Sequence, residues 1–249
     1  MITTVDIGNT NIMLCNFCDK KIIRSKKVPI LNLKKNNIYN ILKSFIKKKN
    51  NGKVIISSVV PTLDQTFSEF LKSLNCDYYF VKDLSRYIGL KTNIKRKKEI
   101  GDDRIINMFF AKQKYDHSII VIDFGTATTF DVLNHDGIYD GGVITPGIEL
   151  SLFALEANTA KLPLVKFKKT NKVVGMDTKE AIQSGFFWGY VSMIEGLINL
   201  IQAEKNKKMQ VILTGGNSNF FKKIIKNVLL VDEYFTSKGL NCLIRKADV

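Results

Sequence analysis

The sequence predicts an α/β fold that is built twice, because two similar turn motifs each follow an apolar run. The segments VDIGNTN and IDFGTATT both place Asp-x-Gly and small, Thr-bearing residues directly after that run. Their first aspartates, Asp6 and Asp123, lie about half a chain apart in a sequence of 249 residues. We therefore expect an N-terminal lobe over residues 1–116 and a C-terminal lobe over residues 117–249.

The first half alternates strand and helix signals. Residues 2–7 and about 12–17 flank the Gly-Asn-Thr-Asn turn, which predicts a β-hairpin. Residues 37–49 show the apolar spacing of a helix, and VIISSVV, residues 54–60, is the short apolar run of a buried strand. Helical spacing returns over residues 64–74. Hairpin, helix, strand and helix in this order are typical of an α/β sheet.

The second half begins in the same way. SIIVIDF, residues 118–124, predicts another buried strand, and TFDVL and GIYDGGVI predict a second hairpin after the turn. Residues 177–205 form the longest helical segment, and QVILTGG, residues 210–216, predicts a last core strand that runs into glycines. One face of the long helix would carry Ile182, Phe186, Tyr190, Ile194, Leu197 and Ile201. We expect each lobe to hold a mixed sheet that opens with a hairpin carrying Asp-x-Gly at its tip.

Composition narrows the function classes. The net charge is +15, from 38 Lys and Arg against 23 Asp and Glu, which invites a nucleic-acid interpretation. The excess is mostly lysine in short clusters, such as Lys34–Lys35 and Lys47–Lys49, which are typical of solvated faces. Such a surface would still favour anionic ligands such as nucleotides. No apolar run approaches the roughly 18 residues of a membrane span, and Met1–Asp6 lacks the features of a signal peptide. We expect a cytoplasmic protein that binds neither nucleic acid nor membranes.

The four cysteines suggest no disulfide framework or metal site. Cys15 and Cys18 have the C-x-x-C spacing of a redox or zinc motif. The sequence contains no second pair with this spacing, and no histidine lies near them. Strand alternation would put the two on opposite faces, so we interpret them, with Cys76 and Cys242, as ordinary thiols.

The two Asp-x-Gly turns have the chemistry of a phosphate site. Glycine lets the backbone approach a ligand closely, and the N–H groups and hydroxyls that follow it can cradle phosphate oxygens. An aspartate at the strand end suits a cation that bridges to phosphate. Asp-Gly turns also occur in ordinary hairpins, but two of them favour a nucleoside triphosphate gripped from both sides of a cleft. LTGG, residues 213–216, adds a strand that runs into glycines, and alone it is typical of a strand-to-helix turn.

The segment GDDR offers a proton acceptor beside an anchor. Asp102 and Asp103 precede Arg104 at the predicted start of a helix, and one of the two carboxylates is expected to be the N-cap. The other could accept a proton while Arg104 grips a carboxylate or hydroxyl of a substrate. Consecutive side chains on a helix point about 100° apart, so only one carboxylate can face the substrate. The inward face would carry Ile105, Met108 and Phe109.

Eight short motifs occur in the order seen in a known family: DIGNTN, ISSVVP, GDDR, DFGTATTFDV, GGVITPG, TAKLP, GMDTKEAIQSGFFWGY and TGGNSNFF. The set resembles type III pantothenate kinases, of the sugar kinase, actin and Hsp70-type ATPase superfamily. The resemblance implies duplicated actin-like (ribonuclease H-like) lobes with an ATP cleft between them, and it places the adenosine beside the glycines of LTGG, residues 213–216. It implies ATP-dependent phosphorylation of the primary hydroxyl of pantothenate to 4'-phosphopantothenate, the first step of coenzyme A biosynthesis. It also implies a homodimer that needs a monovalent cation, K⁺ or NH₄⁺, besides the Mg²⁺ that arrives with ATP.

The resemblance also implies roles for individual residues. The first ATP-phosphate segment would consist of Asp6, Ile7, Gly8, Asn9, Thr10, Asn11, Ile12 and Met13. Thr126 would contact ATP, and Asp123 would bind the monovalent cation. The contacts to pantothenate would come from Gly101, Asp102, Asp103, Arg104 and Thr178, with Asp103 as the general base. Taken alone, Thr178 is also the first turn of a helix with a capping-box-like start at Asp177 and Glu180.

Two features of the sequence concern the surroundings of this site. The pocket wall would include Gly141, Gly142, Pro146 and Gly147, which alone are typical of turns. The aromatic residue and the Asn-Pro pair that the family usually carries before GDDR are absent between Tyr87 and Gly101. No residue of that loop is therefore assigned to the substrate.

The long helix also predicts the homodimer, because it carries Gly185, Gly189 and Gly196 among aromatic residues. Small residues permit a close helix approach and the aromatics offer interface area; the alternative is a helix in the internal core. Two rival functions remain. A non-catalytic relative could use the positive charge on DNA, although the acidic and basic site residues are all present. The other rival is a protein that keeps ATP binding but phosphorylates another small alcohol, which the sequence does not exclude because a fold does not determine its substrate.

Overall fold

The structure of the chain is a computed structural model that describes residues 1–31, 35–46 and 52–249. Lys34 and the lysines at 47–49 lie outside the described residues, as does the end of the helix that the apolar spacing predicts there. In the described part of the chain, no helix combines the length and the hydropathy that a membrane crossing requires.

The chain folds into two compact units. The first contains residues 1–115 together with residues 234–249, and the second contains residues 116–233. The division of the chain into an N-terminal lobe of residues 1–116 and a C-terminal lobe of residues 117–249 stays a prediction. The structure adds that the last helix belongs to the first unit.

The first unit opens with three strands, β1 (Ile2–Ile7), β2 (Asn11–Cys18) and β3 (Lys21–Pro29). The chain continues through α1 (Lys35–Phe45), β4 (Lys53–Ser58), α2 (Pro61–Ser73) and β5 (Tyr78–Phe80). It then forms α3 (Ser85–Ile88), β6 (Lys91–Thr92) and α4 (Asp102–Lys114). Helix α2 begins three residues before the predicted segment, because Pro61 suits the first turn of a helix.

The second unit opens with β7 (Ile119–Phe124), β8 (Ala127–Leu133) and β9 (Ile138–Pro146). The helices α5 (Ile148–Ala157) and α6 (Thr178–Glu204) follow. The unit ends with β10 (Gln210–Gly215), α7 (Ser218–Phe221) and β11 (Val228–Val231). The chain closes with α8 (Phe235–Ala247), which lies in the first unit.

The same strand order occurs in both units. The first sheet has the order β3-β2-β1-β4-β5, and the strands of the second unit lie in the order β9-β8-β7-β10-β11. In each case the first three strands pair antiparallel and the last two add in parallel. The prediction of a duplicated α/β fold with mixed sheets is therefore confirmed.

The two cores are built from the predicted strands, with one change on the long helix. Val5, Ile7 and Ile56 are fully buried in the first unit, under α1 and α2. In the second unit the fully buried side chains of α6 include Phe187 and Ile194. The buried stripe of α6 is completed by Ile182, Gln183, Ser184, Val191, Ile198 and Ile201. Phe186, Tyr190 and Leu197, which the sequence predicts on one face with Ile182, Ile194 and Ile201, are only partly buried and pack against this core.

Candidate active site

The carboxyl ends of two parallel strands meet in the first unit, where Ile7 of β1 lies opposite Ser58 of β4. The segment after β4 contacts both flanking parts of the chain at this edge. The N–H of Val59 donates to the carbonyl oxygen of Ile7 at 3.0 Å, and a Cβ added to Gly101 would lie 3.2 Å from Val59 Cγ1. Val59 thus brings the turn after β1 and the start of α4 together, at the edge where open α/β sheets bind ligands.

The turn between β1 and β2 carries the predicted ATP segment. Asp6 is half-buried and stands one residue before the end of β1. The N–H of Gly8 donates to the carbonyl oxygen of Asn11 at 3.0 Å, which closes the turn. Asn9 and Thr10 form the exposed tip of the turn.

Two members of the predicted ATP segment serve the core instead of the surface. Ile7 and Ile12 face each other across the hairpin, with 0% and 2% of their surface exposed. Only their backbone groups remain available to a ligand. The resemblance assigns residues 6–13 to ATP as a continuous stretch. Because side chains alternate along a strand, some of them face the core and the others face the site.

Helix α4 begins with its two carboxylates in the first turn. Gly101 is the N-cap, with φ −62° and ψ 147° and no side-chain cap, so the expectation that Asp102 or Asp103 is the N-cap is wrong. Gly101 adopts the extended backbone of a cap, and both carboxylates follow it, where the positive end of the helix dipole favours negative charge. Asp103 Oδ1 accepts a hydrogen bond from the N–H of Arg104 at 2.8 Å. A Cβ at Gly101 would lie 2.5 Å from that oxygen, so the glycine leaves room for the carboxylate.

Asp102 points to a different partner. Its carboxylate accepts a hydrogen bond from the N–H of Ser58. The pKa of Asp102 is raised from an ordinary value of 3.8 to about 6, chiefly by burial and then by the charges of Asp103 and Asp64, while the Ser58 N–H and Lys82 oppose the shift. Ser58 and Asp64 were not singled out by the sequence, because they are close to Asp102 only in the folded chain.

The second unit repeats this arrangement at the end of its own parallel strands, where Phe124 of β7 lies opposite Gly215 of β10. Gly215 has a φ of +83°, and a Cβ there would lie 2.5 Å from Asp123 Oδ1 and 2.6 Å from the carbonyl oxygen of Phe124. The N–H of Gly216 donates to that same carbonyl oxygen at 3.2 Å. The structure therefore unites the predicted cation ligand with the glycine pair of LTGG, which the sequence offered as separate features.

The turn after β7 is held by a glycine from the start of α5. The N–H of Gly147 donates to the carbonyl oxygen of Thr126 at 2.9 Å. A side chain at Gly147 would overlap the carbonyl oxygens of Gly125 and Thr126. The predicted wall residue Gly147 is thus in contact with the predicted ATP contact Thr126.

The start of α6 presents Thr178 to solvent. Asp177 is the N-cap, and its Oδ1 accepts from the N–H of Glu180 at 2.7 Å. The Glu180 carboxylate accepts in turn from the N–H of Met176 at 3.0 Å. The expected capping-box-like start is present, and Thr178 is the exposed first residue of the helix. Its contact with pantothenate stays a prediction.

Comparisons with known proteins agree on one family. The family model described as type III pantothenate kinase matches residues 2–200. A type III pantothenate kinase of Pelagibacter ubique is 39% identical over 247 residues, covering 96% of this chain and 97% of the relative. That of Persephonella marina is 40% identical over 248 residues, covering 96% of each chain.

Solved structures support the fold alone. A protein from Sinorhizobium meliloti described as a candidate 2-dehydro-3-deoxygalactonokinase superposes with a TM-score of 0.59 at 12% identity, covering 98% of both chains. The ethanolamine utilization protein EutJ of Carboxydothermus hydrogenoformans gives a TM-score of 0.55 at 11% identity, covering 97% of this chain and 89% of that one.

Proposed function

The chain belongs to the type III pantothenate kinase family, and from that premise we propose that it transfers the γ-phosphoryl group of ATP to the primary hydroxyl of pantothenate. The product would be 4'-phosphopantothenate, in the first step of coenzyme A biosynthesis. The observation that carries the proposal is the edge where β1 and β4 end. There the turn of Asp6 and the acidic start of α4 meet through Val59.

Asp103 would act as the general base. The hydroxyl oxygen of pantothenate attacks the γ-phosphorus, its proton passes to the Asp103 carboxylate, and the bond from the γ-phosphorus to the bridging oxygen breaks to release ADP. Phosphoryl transfer requires a protein chiefly to position the reactants and to stabilise charge. The hydrogen bond between Asp103 and the N–H of Arg104 supports this role, because it orients the carboxylate.

ATP would enter as its magnesium complex. Residues 6–13 would hold its phosphates, with the exposed tip at Asn9 and Thr10 providing backbone N–H groups and side chains. Thr126 would contact the nucleotide as well. Gly101, Arg104 and Thr178 would contact pantothenate, and the guanidinium of Arg104 suits the carboxylate of that substrate.

A monovalent cation, K⁺ or NH₄⁺, would be held by Asp123. In the part of the chain that the structure describes, no three His, Cys, Asp or Glu side chains form a metal group. One carboxylate beside the backbone oxygens of a turn is a weak oxygen site that fits a singly charged ion better than a transition metal. The residues therefore fit the cation, which would supply positive charge near the phosphates, since neither Asp-x-Gly turn contains a lysine.

We also propose a homodimer formed by the exposed face of α6. Gly185 and Gly189 are exposed, and a Cβ added to either of them, or to Gly196, would meet no atom within 4 Å. Leu200, one turn beyond Gly196, is 66% exposed. A partner helix could approach this open face closely, and burial of the apolar residue beside it would favour association.

A kinase for another small alcohol is the second candidate, because the family site and the fold allow it. A coupled ADP-release assay with pantothenate, pantetheine and simple sugars, each with and without potassium, separates the two. The expected result is turnover of pantothenate that depends on potassium. If the protein phosphorylates a sugar but not pantothenate, the second candidate is correct. The enzyme would work in the cytoplasm, where its co-substrate ATP is available.

A further inference from the structure

One serine joins two acidic side chains of the first unit. The N–H of Ser58, at the end of β4, donates to the carboxylate of Asp102 at the start of α4. The hydroxyl of the same serine donates to Asp64 Oδ1, in the first turn of α2, at 2.5 Å. That hydroxyl also accepts from the N–H of Val60 at 3.2 Å. Ser58 therefore ties the starts of two helices to the end of one strand, and we refer to Ser58, Asp64 and Asp102 as the serine link.

The serine link carries an electrostatic cost. Burial disfavours the ionised form of Asp102, and the neighbouring carboxylates Asp103 and Asp64 add repulsion, so the pKa of Asp102 is raised to about 6. The charged groups that face it are Asp103 on α4, Asp64 on α2 and Lys82 after β5, of which only Lys82 favours the charge. Proteins typically retain such a cost at functional sites, where activity and stability compete.

We propose that Asp102 is a positioning residue for the reaction: its hydrogen bond to the Ser58 N–H fixes the start of α4 against β4 and thereby fixes the direction of Asp103. This inference rests on the proposed role of Asp103 as general base. The two residues are consecutive in the first helical turn, so their side chains diverge by about 100°. Because Asp102 is held at β4, the Asp103 carboxylate is directed elsewhere, and its Oδ1 accepts from the Arg104 N–H at 2.8 Å.

The proposal has a pH dependence whose sign is fixed. A protonated carboxyl is a weaker acceptor than a carboxylate, so the bond to Ser58 weakens as the pH falls through about 6. The free energy of unfolding changes in the opposite direction: the contribution of Asp102 to it rises as the pH falls. Because the folded pKa of Asp102 lies above its ordinary value of 3.8, the ionised group lowers the free energy of unfolding above about pH 6, and this loss disappears below the ordinary pKa.

The substitution Asp102→Asn tests the proposal. Asparagine keeps the size of the side chain and one acceptor oxygen, but it carries no charge and does not titrate. We expect kcat/KM for pantothenate at about pH 8 to fall roughly 3- to 30-fold, less than the loss of a general base. The acid limb of the pH profile near 6 should be lost. The thermal midpoint should rise at about pH 8, and this gain should shrink toward pH 4. A merely structural role would lower activity and the midpoint together.

Asp64→Asn is the matched control, because it removes a like charge next to Asp102 while leaving the Ser58 N–H in place. It should move the acid limb to lower pH without abolishing it. If Asp102→Asn keeps the wild-type activity and pH profile, or loses stability equally at both pH values, the positioning role is wrong. The assignment of Asp103 as general base fails separately if Asp103→Asn retains full activity, and the proposed function fails if the unmodified protein does not phosphorylate pantothenate.

Discussion

Gly215 lies so close to Asp123 that a Cβ at position 215 would stand 2.5 Å from the Oδ1 of that aspartate. The φ of Gly215 is +83°, in the region that L side chains rarely adopt. The glycine therefore serves two purposes, since it permits the turn after β10 and leaves room for the carboxylate. The proposed cation site at Asp123 would therefore require a glycine at position 215.

We expect Gly215→Ala to weaken both stability and cation use. The left-handed backbone alone should cost about 1–2 kcal/mol, and the added methyl must displace the Asp123 carboxylate. Thermal unfolding and the potassium dependence of kcat measure the two effects. Gly89→Ala is the matched control, because Gly89 has a φ of +58° but no atom within 4 Å of an added Cβ. It should lose stability and keep the potassium dependence.

Replacing Asp123 itself should remove most of the cation dependence. Asp123→Ala deletes the proposed side-chain ligand and should reduce turnover strongly at any potassium concentration. In the unmodified enzyme, exchange of potassium for a bulky organic cation should lower kcat as well. Steady-state kinetics at fixed ionic strength provide the measurement, and full activity of the variant would contradict the assignment.

The proposed dimer is tested by Gly189→Arg, because a Cβ added at position 189 meets no atom of the folded chain within 4 Å. The protomer should fold normally, whereas the close approach of a second α6 should be blocked. The molar mass measured by light scattering should therefore fall from that of a dimer to the protomer mass of 28.2 kDa. Gln65→Arg, on the exposed side of α2, should leave the dimer intact. A protein that is already a monomer at micromolar concentration would rule out the interface.

The cap and the proposed substrate contact of α6 can be separated by two adjacent substitutions. Asp177→Ala removes the acceptor for the Glu180 N–H and should cost about 1 kcal/mol of stability. Thr178→Ala alters an exposed residue and should leave the thermal midpoint within a degree or so, while it raises KM for pantothenate. An unchanged KM in Thr178→Ala would assign Thr178 to the helix start alone.

Periodicity in the sequence was sufficient for the elements and their duplication. The apolar runs and their turns predict the hairpin strands β1 and β2, and the capping pattern at Asp177 predicts the start of α6 to the residue. The return of α8 to the first unit could not be derived in this way. It depends on contacts between segments far apart in the chain, which local spacing does not encode.

The site was predictable as a set of motifs but not as a set of contacts. GDDR indicates a carboxylate pair, yet a pattern cannot decide which member caps the helix. The backbone places Gly101 at that position. Likewise nothing in the sequence connects Ser58 with Asp102, because their contact forms only when β4 and α4 lie side by side.

The most direct measurement is kcat for Asp103→Asn and Asp102→Asn with saturating pantothenate and ATP. Asparagine at 103 can still accept from the Arg104 N–H but cannot take a proton. We therefore expect its kcat to fall by about 10²–10⁴-fold, with ATP affinity changed only a few-fold. Asp102→Asn should be much milder. If Asp102→Asn abolishes turnover and Asp103→Asn does not, Asp102 is the base, and the account of this site is wrong by one residue.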